Sequence, residues 1–219
     1  MSISIAITDV TVVTGDESGT VHEGWTLLVD SDGTIAYAGP AADVQIPVDA
    51  KHLDGVGRFA MPGLINAHAH LFADGRPLSK IALHPATSKI AAFLAKGPLG
   101  GVMLRKRVRM NALTQLHTGV TTLRTVGDVS YEVIGLRDQI DAGELVGPRI
   151  LPSGPLMAIT GGHGAPMIAH IADDVDAARK WTRENLDHGA RAIKIAATGG
   201  VSDAKCIGHA GTPRWTSRR

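Results

Sequence analysis

The sequence predicts an α/β protein in which a small antiparallel β unit, residues 1–60, precedes a series of strand–helix units in residues 61–219. In the first segment, apolar residues alternate with polar ones between Gly, Asp and Pro turn signals, which is typical of antiparallel strands. In the second, short apolar runs that scarcely alternate are followed by amphipathic stretches, as in parallel strands covered by helices. Such right-handed series form either a doubly wound sheet or a (β/α) barrel.

Three strands are predicted in residues 1–60, which we expect to form a small β-sandwich-like domain. The first begins at Ile3, where isoleucines alternate with smaller residues. The second, residues 25–29, leads into the Asp-Ser-Asp-Gly turn at 30–33, which favours a hairpin to a third strand at 34–38. We expect no catalytic chemistry in this segment.

Strands and helices alternate in the second segment. The last helix is expected to open at Asp173 and Asp174, because carboxylates there can cap the first turn and offset the helix dipole. Met103, Met110 and Leu113 are expected to form the apolar face of an earlier helix. The predicted strands are 61–71, 120–126, 149–151 and 190–197, and the predicted helices are 86–96, 99–117, 131–142 and 173–188.

Composition and charge exclude several classes of protein. The chain has 219 residues, 44% of them hydrophobic, so it can bury a sizeable core. Its net charge of +1 gives no electrostatic sign of a nucleic-acid partner, and the basic run at 105–109 is expected to be a solvated helix face. No apolar run approaches the ~18 residues of a membrane span, and no signal peptide is predicted. The single cysteine, Cys206, fits a reducing compartment, so we expect a cytoplasmic protein without membrane contact.

The first predicted strand ends in His68-Ala69-His70. Side chains at positions i and i+2 of a strand point the same way, so both imidazoles would project from one face at the carboxyl end. Two converging imidazoles form half of a divalent-metal site of the kind that zinc prefers. The alternative is a pair of unrelated histidines, one buried and one in a loop.

Lys194 lies in the otherwise apolar predicted strand 190–197. Burying an ammonium there costs several kcal/mol unless the group is paired or loses its proton. A neutral lysine amine can react with carbon dioxide, and the resulting carbamate can bridge two metal ions. The alternative is an ion pair with a carboxylate such as Asp128. No strand is followed by Gly-x-Gly-x-x-Gly, which argues against a dinucleotide-binding fold.

Four stretches together resemble the amidohydrolase superfamily, and most closely its imidazolonepropionase-like branch that includes Xaa-Pro dipeptidases. The resemblance implies a (β/α)8 barrel of the TIM type, of which residues 61–219 would form the N-terminal half, about the first four βα units. The stretches are MPGLINAHAHL at 61–71, GVTTLRTVGD at 119–128, ITGGHG at 159–164 and IKIAATGGV at 193–201.

The resemblance also implies roles for individual residues. His68 and His70 would bind metal, and a carbamylated Lys194 would bridge a pair of zinc ions, as in the dipeptidase-like branch. His163 matches a loop histidine near the substrate. The implied reaction is hydrolysis of a C–N bond in a small amide, cyclic amide or Xaa-Pro dipeptide by a zinc-activated water.

The family's remaining ligands and its catalytic aspartate would follow Arg219, so we expect a C-terminally truncated chain with no catalytic aspartate of its own. The alternative is a non-catalytic fragment. A half-barrel would expose apolar side chains, including Ile65, Leu123 and Ile195 if they point inward, so we also expect homo-oligomers.

Overall fold

The computed structural model describes residues 2–73, 75, 97–165 and 168–197. The chain divides into two compact units, Met1–Gly63 and Leu64–Arg219. Strands and helices both occur, which confirms the α/β class. The predicted helix 86–96 and Cys206 lie outside the described residues. Within them, no helix has the combination of length and apolar character needed to cross a bilayer.

The first unit contains one five-stranded sheet in the order β3-β2-β1-β4, with β5 also paired to β1. Strands β1, β2 and β3 form an antiparallel meander, but β4 and β5 run parallel to β1. The sheet is therefore mixed, because the chain crosses over after β3 instead of turning back in another hairpin. The strands are β1 Ile3–Val13, β2 Val21–Asp30, β3 Ile35–Pro40, β4 Lys51–Asp54 and β5 Phe59–Ala60, with a short 3-10 helix at Ala41–Asp43.

The predicted hairpin between β2 and β3 is present. One carboxylate oxygen of Asp30, Oδ1, accepts hydrogen bonds from the backbone N–H groups of Asp32 at 3.0 Å and Thr34 at 2.9 Å. Gly33 has a φ of +80°, a conformation that glycine adopts without steric cost. The turn brings β3 beside β2, and one face of the sheet buries Ala6 and Leu28.

The second unit is built on parallel strands. Strands β6, β7 and β8 pair in sequence order, β9 pairs with β10, and Ile195 bridges Met157 in parallel. The elements are β6 Leu64–Ala69, α1 Pro98–His117, β7 Val120–Thr125, α2 Glu132–Asp141, β8 Arg149–Leu151, β9 Leu156–Ala158, β10 Ala169–Ile171 and α3 Val175–Asp187.

The core of this unit lies between the strands and the first two helices. Leu123 is 0% exposed and packs with Val108 of α1 and Val133 of α2. Its side chain is therefore buried against the helices, so Leu123 does not point inward and is not among the apolar residues that a half-barrel exposes. Ile65 and Ile195 are 72% and 41% exposed. The prediction that the strands of this segment are buried on both faces is therefore wrong at these positions.

The fourth predicted strand, 190–197, is reduced to an isolated bridge. Arg191 N–H donates to the carbonyl of Pro152, and Met157 N–H donates to that of Lys194 at 2.9 Å. The opposing segment of the same chain, residues 152–157, contains prolines at positions 152 and 155, which have no N–H to donate to a ladder. A continuous ladder is therefore interrupted, although the segment runs in the predicted direction.

Candidate functional site

His68 and His70 lie together at the carboxyl end of β6. Their ring centroids are 5.3 Å apart in an edge-to-face arrangement, with His68 exposed and His70 half-buried. The side-chain carbonyl of Asn66 accepts the backbone N–H of His68 at 3.1 Å. The ladder with β7 is irregular between Asn66 and Ala69. The strand end is thus held by local contacts that place both imidazoles side by side.

The tautomer of His70 follows from its hydrogen bond. Its Nδ1 lies 3.2 Å from the carbonyl oxygen of Gly127. Because a carbonyl oxygen can only accept, the Nδ1 of His70 must carry the proton. The lone pair then lies on Nε2, which is the arrangement found in metal-binding histidines with a carbonyl partner behind them.

The electrostatics of His70 involve the other candidate residues. Burial lowers the pKa of the His70 imidazole below its ordinary value, whereas the bond with the Gly127 carbonyl raises it. Positive charge on His68, Lys194 and His163 lowers that pKa further. The other three predicted side chains are thus each within electrostatic range of His70, whose neutral, metal-binding form is favoured.

Lys194 is half-buried, not enclosed as its apolar surroundings in the sequence predicted. The alternative of an ion pair with Asp128 is not found among the described residues. The Asp128 carboxylate instead accepts a hydrogen bond from the hydroxyl of Thr125 at 3.0 Å. Its other oxygen, Oδ1, is buried and has no hydrogen-bond partner within the described part of the chain.

His163 lies in the loop between β9 and β10 and is half-buried. Asp173 closes this loop, because its two carboxylate oxygens accept the backbone N–H of Thr160 at 2.7 Å and its hydroxyl at 2.6 Å. Asp173 therefore holds the loop, and only Asp174 caps α3, by accepting the N–H of Ala177 at 2.7 Å. The prediction that both acids open the helix is wrong in this respect.

The donor set fits part of a metal site. Among the described residues there is no group of three or more His, Cys, Asp or Glu side chains placed to hold an ion. The nitrogen donors present are the Nε2 atom of His70 and the imidazole of His68. Lys194 would add its amine nitrogen when deprotonated, or the oxygen atoms of its carbamate when carbamylated. Such ligands suit zinc, whose sites are built from imidazole nitrogen and anionic groups.

Two contributors to this site were missed in the sequence. The backbone of Gly127 binds His70, and the hydroxyl of Ser153 accepts the N–H of Gly127 at 2.9 Å. The only available signal was their position just after the second and third predicted strands, where functional groups of a parallel sheet gather.

Comparisons with known proteins agree on one family. The sequence profile of the amidohydrolase family matches residues 59–212. Ochratoxinase from Aspergillus niger is 29% identical over 209 residues, covering 80% of this chain and 38% of that protein. Imidazolonepropionase from Rhizorhabdus wittichii is 28% identical over 224 residues, covering 93% of this chain and 52% of that protein.

A solved structure shares the fold as well as the sequence. The crystal structure of a candidate prolidase from Bifidobacterium longum superposes with a TM-score of 0.71 at 45% identity. The match covers 94% of this chain and 44% of that one, so this chain spans about half the length of its relatives, or less. The profile match over most of the sequence is decisive, and the chain belongs to the amidohydrolase family.

Proposed function

We propose that residues 61–219 form the N-terminal half of a TIM-type barrel and carry part of a zinc site that hydrolyses a C–N bond. The observation that carries this proposal is the pair of imidazoles of His68 and His70, whose ring centroids lie 5.3 Å apart at the carboxyl end of β6. Lys194 and His163 support it, because both are near enough to lower the pKa of His70. The parallel order of β6, β7 and β8 supports the barrel, since active sites of such barrels lie at the carboxyl ends of the strands.

His68 and His70 would hold the metal through imidazole nitrogen. The hydrogen bond from Nδ1 of His70 to Gly127 places the proton of the neutral ring on Nδ1, and burial favours that neutral ring by lowering its pKa. A bound zinc ion would lower the pKa of a coordinated water to about 7 and polarise the scissile carbonyl. Lys194 would contribute as a carbamate, formed when its neutral amine bonds to carbon dioxide and releases a proton.

His163 is proposed to bind the substrate. Its loop is fastened by the two hydrogen bonds between Thr160 and Asp173, so the imidazole is held close to His70 without being on the same strand. An imidazole held in this way can orient a carbonyl or carboxylate of a small substrate by hydrogen bonding.

The substrate class follows from the relatives. We propose an amide, a cyclic amide or an Xaa-Pro dipeptide, with the dipeptide favoured by the 45% identity to the candidate prolidase and by the presence of Lys194. Because the chain spans about half the length of its relatives or less, the direct test is metal binding and not turnover.

The test is calorimetric titration of the metal-free chain with Zn²⁺ in bicarbonate buffer. His68→Ala and His70→Ala should each weaken binding at least tenfold, because each removes a ligand. Lys194→Ala should lower the number of zinc ions bound, and native mass spectrometry should show one carbon dioxide adduct that this variant lacks. His52→Ala, an exposed histidine of the first unit, serves as the matched control. Unchanged affinity in both histidine variants would overturn the proposal.

A further inference from the structure

Behind His70 lies a chain of buried polar contacts at the ends of β7 and β8. Nδ1 of His70 donates to the carbonyl of Gly127 at 3.2 Å. The N–H of Gly127 donates to the hydroxyl oxygen of Ser153 at 2.9 Å, and that hydroxyl donates to the carbonyl of Gly154 at 3.0 Å. Ser153 is 1% exposed, so its hydroxyl is shielded from solvent.

The two peptide groups that flank Gly127 are both held by this chain. The N–H on one side binds Ser153, and the N–H of Asp128 on the other side donates to the carbonyl of Gly154 at 3.0 Å. A trans peptide is planar, with its C=O and N–H pointing in opposite directions. Holding the N–H of Asp128 toward Gly154 therefore directs the carbonyl of Gly127 away from it, toward His70.

The conformation at Gly127 requires glycine. Its φ is +122°, and an added Cβ would lie 3.0 Å from Cδ2 of Leu156. A backbone in this region has no side chain to restrain it, so its orientation depends on the hydrogen bonds of the adjoining peptides. The Ser153 hydroxyl binds the N–H of Gly127 directly. It also donates to the carbonyl of Gly154, the same carbonyl that accepts the N–H of Asp128.

We propose that Ser153 is a positioning residue for His70: by orienting the Gly127 peptide, its hydroxyl determines that the proton of the His70 imidazole lies on Nδ1 and the lone pair on Nε2. The role of this lone pair as a metal ligand rests on the proposed function, but the tautomer itself does not. A buried contact behind a ligand histidine of this kind changes metal affinity by ~10–100-fold when it is removed.

The test uses the full chain labelled with 15N-histidine, without metal and at a pH where His70 is neutral. Two-bond proton–nitrogen correlation spectra report which ring nitrogen is protonated, and His70→Gln assigns the His70 signals by their loss. The wild-type chain should show the Nδ1–H tautomer. A predominant Nε2–H tautomer in the wild-type chain overturns the proposal without any variant.

Ser153→Ala should shift the tautomer ratio of His70 toward Nε2–H by about fivefold, the effect of one net hydrogen bond. Ser153→Cys, which is nearly the same size but a poor acceptor, should do the same, whereas Ser153→Thr retains the hydroxyl and should retain the wild-type ratio. Thr182→Val is the matched control, since its hydroxyl lies in the same unit and contacts Met157. If Ser153→Ala and Ser153→Cys both leave the tautomer ratio of His70 unchanged, the proposal is overturned.

Zinc titration separates this inference from the proposed function. In a wild-type chain that binds Zn²⁺, Ser153→Ala should weaken binding by about tenfold. Unchanged affinity in a variant whose tautomer has shifted overturns the positioning role. If the wild-type chain binds no zinc, the proposed function fails, and the tautomer ratios still decide whether Ser153 controls His70.

Discussion

At the scale of single residues, Asp128 shows how burial changes a protonation equilibrium next to the candidate site. The residue is 0% exposed, and its Oδ1 has no hydrogen-bond partner within the described residues. Burial raises the pKa of the Asp128 carboxyl well above its usual range, and the nearby charge of Glu132 raises it further. The hydrogen bond from Thr125 lowers it only in part, so the folded chain favours the protonated acid.

This shift predicts a pH-dependent stability. An acid whose pKa is higher in the folded chain than its ordinary value of 3.8 stabilises the fold fully below that value. The stabilisation is lost as the pH rises toward the raised pKa, because the ionised form is disfavoured inside the fold. Asp128→Asn removes this dependence, so the free energy of unfolding of the variant should rise relative to wild type as the pH increases above the ordinary value of 3.8.

Urea denaturation of the metal-free chain at a series of pH values measures this effect. Asparagine also alters the local hydrogen bonds, which changes the free energy of unfolding at every pH. The quantity compared is therefore how the difference in the free energy of unfolding between Asp128→Asn and wild type changes with pH. Asp187→Asn, at an exposed position of the same unit, should give a curve parallel to that of wild type. Parallel curves for Asp128→Asn and wild type would show that this carboxyl does not couple to folding.

At the scale of elements, the two acids that the sequence places at the start of α3, Asp173 and Asp174, have different roles in the structure. Asp174 is the N-cap, and Asp173 instead fastens the loop that carries His163. In α1, Val108 and Ala112 are buried, whereas Met103 and Met110 are 67% and 57% exposed, so the predicted apolar face is wrong for both methionines. Leu113, the third predicted member, is half-buried. The sequence does not show which face of α1 is buried, because large apolar residues occur on its outer face as well as on its inner one.

The cap predicts a measurable contribution to stability. Asp174→Ala should lower the free energy of unfolding by about 1 kcal/mol, because the N–H of Ala177 loses its acceptor. Asp174→Asn is the control, since its side-chain oxygen can still accept and asparagine caps helices about as well. Urea denaturation at neutral pH compares the three proteins. Equal losses in both variants would assign the effect to the charge and not to the cap.

At the scale of the whole molecule, exposed apolar side chains on the strands of the second unit predict self-association. Ile65 and Leu64 of β6 are 72% and 47% exposed, and Ile195 is 41% exposed. Apolar surface of this kind favours contact between copies of a chain. Ile65→Lys should therefore reduce association severalfold, because a lysine at a contact would have to be desolvated.

Sedimentation velocity over a range of protein concentrations measures this association. Val146→Lys, which changes a 76% exposed valine in the segment before β8, should sediment like the wild-type chain. A wild-type chain that stays monomeric at every concentration would contradict the prediction. So would an equal effect of the two lysine substitutions.

The sequence by itself determined the type and position of the longer elements, although strands β4, β5, β9 and β10 were not predicted. The predicted features include the α/β class, the β2–β3 hairpin and the extents of α1, α2 and α3 within a few residues. They also include the position of His68 and His70 beside each other at the end of one strand. These features depend on apolar periodicity, turn chemistry and residue spacing over short stretches of chain, so no distant contact is needed to predict them.

Only the tertiary structure decided which faces pack and which groups support the site. Leu123 turned out to face the helices, and the prolines at 152 and 155 interrupted the ladder between the contacts of Arg191 and Lys194. The contact from His70 to Gly127 spans 57 residues, and that from Gly127 to Ser153 spans 26. A backbone carbonyl and a buried serine have no distinctive sequence pattern, because their roles arise from the direction of peptide groups that distant strands bring together.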